Sequence, residues 1–75
     1  MNKEAVIIGE SYECRKTDFA RPIIGEVLRK EDGGCVVNVE RFYGLDVDKI
    51  DQVEGQVLIK YSEVTGIVTN NRFFS

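Results

Sequence analysis

Histidine is absent from these 75 residues, and with it the commonest general base and imidazole metal ligand. Only two cysteines occur, Cys14 and Cys35. They do not form a Cys-x-x-Cys pair, and no further cysteine or histidine completes a zinc site. A disulfide-built secreted scaffold of this length normally carries more cysteines. No apolar run approaches the roughly 18 residues of a membrane span, and the stretch from Ala5 to Ile8 is too short for the apolar core of a secretion signal. The glycines are scattered, so none builds a phosphate-cradling loop. Ser11, Ser62 and Ser75 have no neighbour that marks a nucleophile. The expectation is a non-enzyme with no cofactor and no metal, in a reducing cytoplasmic setting.

What is present describes one small folded domain over residues 1–75, with 1–5 and 70–75 expected as flexible ends. A hydrophobic share of 43% is ordinary for a globular chain and argues against a disordered one. A chain this short buries only about 60% of the surface its unfolded form exposes, which leaves little room for a deep enclosed site. The net charge is −3. Between Glu40 and Glu54 stand Glu40, Asp46, Asp48, Asp51 and Glu54 against Arg41 and Lys49, so this one connection carries the whole excess. An acidic chain argues against broad, non-specific nucleic-acid binding, which depends on neutralising phosphates.

The clearest local pattern is a hairpin. Residues 22–30 and 35–40 are two β-branched runs, joined by Glu31-Asp32-Gly33-Gly34. Pro22 opens the first run, where its missing N–H does least harm. Within that run Glu26 faces water and Gly25 and Val27 face the other way, with Gly25 marking a bulge or bend. Ile24 and Leu28 share the Glu26 face, so both faces of this strand are partly covered. In the second run Asn38 and Glu40 point out and Cys35, Val37 and Val39 point in. Upstream, Tyr12 and Cys14 alternate with Ser11, Glu13 and Arg15 as a first strand. Downstream, 56–61 is a strand, Ser62-Glu63-Val64 one 3₁₀ turn, and 65–69 a last short strand. Between the third and fourth strands the sequence allows two readings. In one, Asp46 caps a short helical turn with Val47, Ile50 and Val53 spaced three apart and Gly55 ending it. In the other, the segment is an extended arm.

Five short strands with a break before the last predict an all-β fold, a small partly open barrel with one short helical turn between strands three and four. Gly9-Glu10 before the first strand, Gly25-x-Val27, Cys35-Val36-Val37-Asn38-Val39 and Tyr61-Ser62-Glu63-Val64 together resemble an SH3-like barrel of the KOW-like type, as in small bacterial proteins. An OB-like barrel is the second choice. The resemblance implies a domain that binds RNA or protein through the loops at one barrel end, here Lys16 to Arg21 and Arg41 to Gly44.

Those loops carry the candidate binding residues. Arg15, Lys16, Phe19 and Arg21 form one basic and aromatic cluster, and Arg41, Phe42 and Tyr43 a second. Rings that stack on bases, beside cations that reach phosphates, suit single-stranded RNA. The competing reading is that Phe19 and Phe42 cap a small core while the cations are simply solvated. Asp46, Asp48, Asp51 and Glu54 fail the calcium-loop template, so they read as a solvated acidic segment. Cys14 and Cys35 read as small core hydrophobes. Phe73 and Phe74 are adjacent; an extended tail exposes at least one for docking or a dimer contact, and folding back onto the barrel is the competing reading. The function expected is a protein-binding adaptor or regulatory module, with RNA or single-stranded nucleic acid as the alternative partner.

Overall fold

Alternation of period two becomes a five-stranded antiparallel sheet in the computed structural model, which describes residues 1–68. Strand β1 (Ser11–Cys14) buries Tyr12 and Cys14 and leaves Ser11 and Glu13 partly exposed. Strands β2 (Ile23–Lys30) and β3 (Gly34–Arg41) are the two arms of the hairpin. Strand β4 (Gln56–Lys60) buries Val57 and Ile59 between exposed Gln56, Leu58 and Lys60. Strand β5 (Val64–Val68) follows a 3₁₀ turn at Tyr61–Glu63. The strand order is β4-β3-β2-β1-β5. Among the described residues no ladder joins β4 to β5, so the sheet is open, and the 3₁₀ turn carries the chain from one edge to the other.

The inner face of all five strands meets one core. Tyr12, Cys14, Ile23, Val27, Cys35, Val37, Val57, Ile59 and Val64 join Val6 and Ile50, with Phe19, Val39 and Tyr61 packed against them. A flat sheet cannot converge on one small cluster, and the β2–β3 ladder shows where this one bends. Its register shifts between Ile24 and Gly25 and again between Val27 and Arg29. Such bulges raise the local twist. Gly25 is required at the first of them: a Cβ there would stand 2.7 Å from Val37 Cγ2 and 2.9 Å from Val37 Cβ.

The connection between β3 and β4 takes the helical alternative. A 3₁₀ turn at Gly44–Asp46 runs into helix α1 (Val47–Gln52). The helix ends where Glu54 (φ 56) and Gly55 (φ 80) turn left-handed and the Gly55 N–H donates to the Ile50 carbonyl at 3.0 Å. Two details of the sequence reading are corrected here. Val47 and Val53 stay largely exposed and only Ile50 reaches the core. A three-residue spacing falls about 60° short of a full turn at each step, and Val53 lies past the last helical residue, so the three side chains do not share one face. Asp46 stands at the cap position but makes no side-chain cap bond, and it is buried, unlike the solvated Asp48, Asp51 and Glu54.

The chain before β1 also packs. Residues Lys3–Ala5 form a 3₁₀ turn, and the Met1 ammonium donates to the carbonyls of Tyr61 and Val64. Lys30 Nζ donates to the carbonyls of Lys3 and Val6, both at 2.8 Å. Phe73 and Phe74 lie outside the described residues. No helix of the described residues is long and apolar enough to cross a membrane.

Candidate functional site

The eight residues between β1 and β2 have no strand to pair with, so their backbone bonds must go elsewhere. Three of their N–H groups go to two carboxylates, and those of Arg15 and Phe19 go to backbone carbonyls. Arg15 N–H donates to the Glu63 carbonyl at 2.8 Å, and Thr17 gives its N–H and its hydroxyl to Glu63 Oε2, each at 2.9 Å. At the far end of the loop, Ala20 N–H donates to Asp46 Oδ1 at 2.8 Å and Arg21 N–H to Asp46 Oδ2 at 3.1 Å. Asp46 is 1% exposed. Its own N–H donates to the Tyr43 carbonyl at 3.0 Å. One buried residue, its side chain on the loop and its backbone N–H on Tyr43, therefore ties the loop of the first cluster to the segment of the second.

Next to that tie lies an open groove of about 310 Å³, lined by Glu13, Pro22, Ile23, Ile24, Arg41, Phe42 and Tyr43. The register explains the assembly, because Glu13 pairs with Ile24 and Ile24 with Arg41 across three neighbouring strands. Pro22 enters beside Ile23, at the start of β2. Phe42 and Tyr43 leave the end of β3 and remain 42% and 58% exposed. Leu45 and Val47 follow, also exposed. Exposed apolar side chains thus recur at Phe42, Tyr43, Leu45 and Val47, from the groove wall onto the helix.

The seven sequence candidates separate. Arg41, Phe42 and Tyr43 line the groove; Arg15, Lys16, Phe19 and Arg21 do not. Phe19 packs against the core, with Lys49 Nζ 5.7 Å from the centre of its ring. Lys49 also donates to the Asp18 carbonyl and stands 3.9 Å from Asp46 Oδ1. Lys16 pairs with Asp18 at 3.3 Å, and Arg15 approaches Glu13 at 4.0 Å. Arg21 is exposed, in the loop stretch that Asp46 holds. Sequence reasoning missed Glu13, Pro22, Ile23 and Ile24 as lining residues. A signal existed for Ile24: an aliphatic side chain on the Glu26 face of β2, away from the core, has no partner inside the sheet.

Electrostatics sets what the site can do. Burial opposes ionisation of Glu63, but the N–H of Lys60, the N–H and hydroxyl of Thr17 and the charge of Lys16 outweigh it and hold this carboxyl below its ordinary value. Burial pushes the Cys14 thiol up to about 12, helped by Cys35, Glu63 and Glu13, and burial also raises Cys35. Neither thiol lines the groove. Among the described residues no group of three histidine, cysteine or acidic side chains is placed to hold a metal ion. The groove offers apolar walls, two aromatic rings, one carboxylate and one guanidinium. That set suits holding a side chain by contact and hydrogen bonding, and its lining shows no paired nucleophile and base. Comparison with protein-family models, with curated proteins and with solved structures finds no match.

Proposed function

We propose that this chain is a non-catalytic, cytoplasmic binding module, an adaptor or regulatory protein whose groove takes a segment of another protein. The observation that carries the reading is the exposure of Phe42 and Tyr43 beside a concave apolar wall. A domain this small draws its stability from burying large apolar groups. Two rings kept outside, next to a hollow that a side chain can enter, fit the aromatic enrichment of protein interfaces. The open five-stranded order is compatible with the SH3-like, KOW-like resemblance, and two free buried thiols fit a reducing compartment.

Affinity capture from the source cells, with the wild type and Phe42→Ala/Tyr43→Ala side by side, tests it. A protein retained by the wild type and lost by the variant supports the reading. Equal recovery by both, or no partner at all, counts against it.

Nucleic acid is the second reading, because Arg41, Phe42 and Tyr43 place a cation and two rings on one wall. The other cluster weakens it: Arg15 and Lys16 stand beside Glu13 and Asp18, which reduces the local positive field. Fluorescence anisotropy with mixed RNA and single-stranded DNA at two salt concentrations separates the readings. Binding that falls steeply with salt favours nucleic acid, and no binding at low salt removes it.

A further inference from the structure

We infer that Asp46 is the positioning residue of the groove, a carboxylate that sets the spacing of its two walls; this rests on the binding reading above. One wall carries Pro22, next to the Arg21 N–H that Asp46 accepts, and the other carries Phe42 and Tyr43. Asp46 holds the first wall through its side chain, at Ala20 and Arg21, and the second through its own N–H, at the Tyr43 carbonyl. Lys49 pairs with the same carboxylate at 3.9 Å and reaches on to the Asp18 carbonyl in the same loop. A carboxylate is the side chain for this task. Ionised, it presents only acceptors, and its two oxygens meet two successive N–H donors. An amide of the same shape offers one acceptor and turns an NH₂ toward a donor. No apolar side chain satisfies either N–H, and a buried amide left without a partner is destabilising. Loop and aromatic segment therefore move as one body while the carboxylate is in place, and separately without it.

The test is two-dimensional NMR and amide exchange on the full chain without any ligand, comparing wild type, Asp46→Asn and Asp46→Ala. In the wild type the Ala20 and Arg21 amides are protected. In Asp46→Ala they exchange about tenfold faster or more, the factor that loss of one charge-assisted hydrogen bond represents. The ring signals of Phe42 and Tyr43 shift with them, while the β3 amides keep their protection. Asp46→Asn falls between the two. If Asp46 only fills space, Asp46→Asn matches the wild type, and that result overturns the inference. Should both variants fail to fold, the wild type decides: protection of both amides upholds the tie, and exchange at the free-chain rate overturns it. A chain that binds no partner leaves all these readouts unchanged, so failure of the binding reading is told apart from failure of this one.

Discussion

Glu63 and Thr17 meet across 46 residues, the carboxylate of one accepting both the backbone N–H and the hydroxyl of the other at 2.9 Å. The second oxygen of Glu63 turns back to the Lys60 N–H, also at 2.9 Å. One side chain thus fixes the 3₁₀ turn between β4 and β5 and the start of the β1–β2 loop, at the place where the open sheet has no ladder to hold it. Asp46 does the same at the end of that loop. Both ends of the unpaired β1–β2 loop are thus held by carboxylates.

That arrangement is expected to make the domain acid-sensitive. The Glu63 carboxyl lies below its ordinary value of 4.5 when folded. Its stabilisation is therefore complete above that value and vanishes as pH falls through the lower, folded one. Urea unfolding followed from about pH 7 to about pH 3 is expected to show stability declining in that acid window. Glu63→Gln is expected to lose about 1–3 kcal/mol at neutral pH and to flatten part of the acid decline. An unchanged decline in the variant would assign the acid sensitivity to other carboxylates.

Gly25 and Val37 are expected to be energetically coupled. A Cβ on residue 25 runs into the branched side chain of a fully buried valine, which has no room to turn away. Gly25→Ala is expected to cost about 1–3 kcal/mol by overpacking. Val37→Ala alone also destabilises, by leaving a cavity. Together they should cost less than the sum of the two, with a coupling of about 0.5–3 kcal/mol from denaturation midpoints. Strict additivity would mean that the bulge relaxes without touching Val37. Val37→Asp tests the inward register directly: a buried unpaired charge costs about 3–5 kcal/mol and should unfold the domain.

The strands were legible because a pleated sheet turns alternate residues to opposite faces, and Tyr12, Cys14, Cys35 and Val37 follow that alternation. Gly25 was legible as a bend because glycine inside a valine-rich strand needs a reason. Asp46 was not. In the sequence it stands out only as the start of a helical turn, and nothing local sets its burial apart from that of Asp48. Its burial is set by the β1–β2 loop, 25 residues away in the chain, which brings two unpaired N–H groups to it. The groove was half legible for the same reason. Arg41, Phe42 and Tyr43 are visible as a cluster, whereas Glu13 and Ile24 join them only through strand register.

Both thiols should be silent in the native protein. Thiolate is the reactive form, and burial pushes Cys14 to about 12 and raises Cys35 as well. At about pH 8 a disulfide reagent such as DTNB is expected to label neither residue until the chain unfolds, with labelling following the denaturation curve. Prompt modification of either cysteine under native conditions would show an opening that exposes the core.

Phe19 and Phe42 should behave as opposites although both entered the argument as the same kind of residue. Phe19 packs on the core under Lys49, so its truncation removes buried surface and the ring that faces the cation. Phe19→Ala is expected to lower stability by about 2 kcal/mol, short of the 3–5 kcal/mol of a fully enclosed ring. Phe42 lies 42% exposed on the groove wall, so Phe42→Ala is expected to change stability by no more than about 0.5 kcal/mol. It should weaken partner capture instead, while Phe19→Ala weakens capture only as far as it unfolds the chain. Urea midpoints measured beside partner retention decide it. A large stability loss in Phe42→Ala would place that ring in the core and remove the main support for the groove as a binding surface.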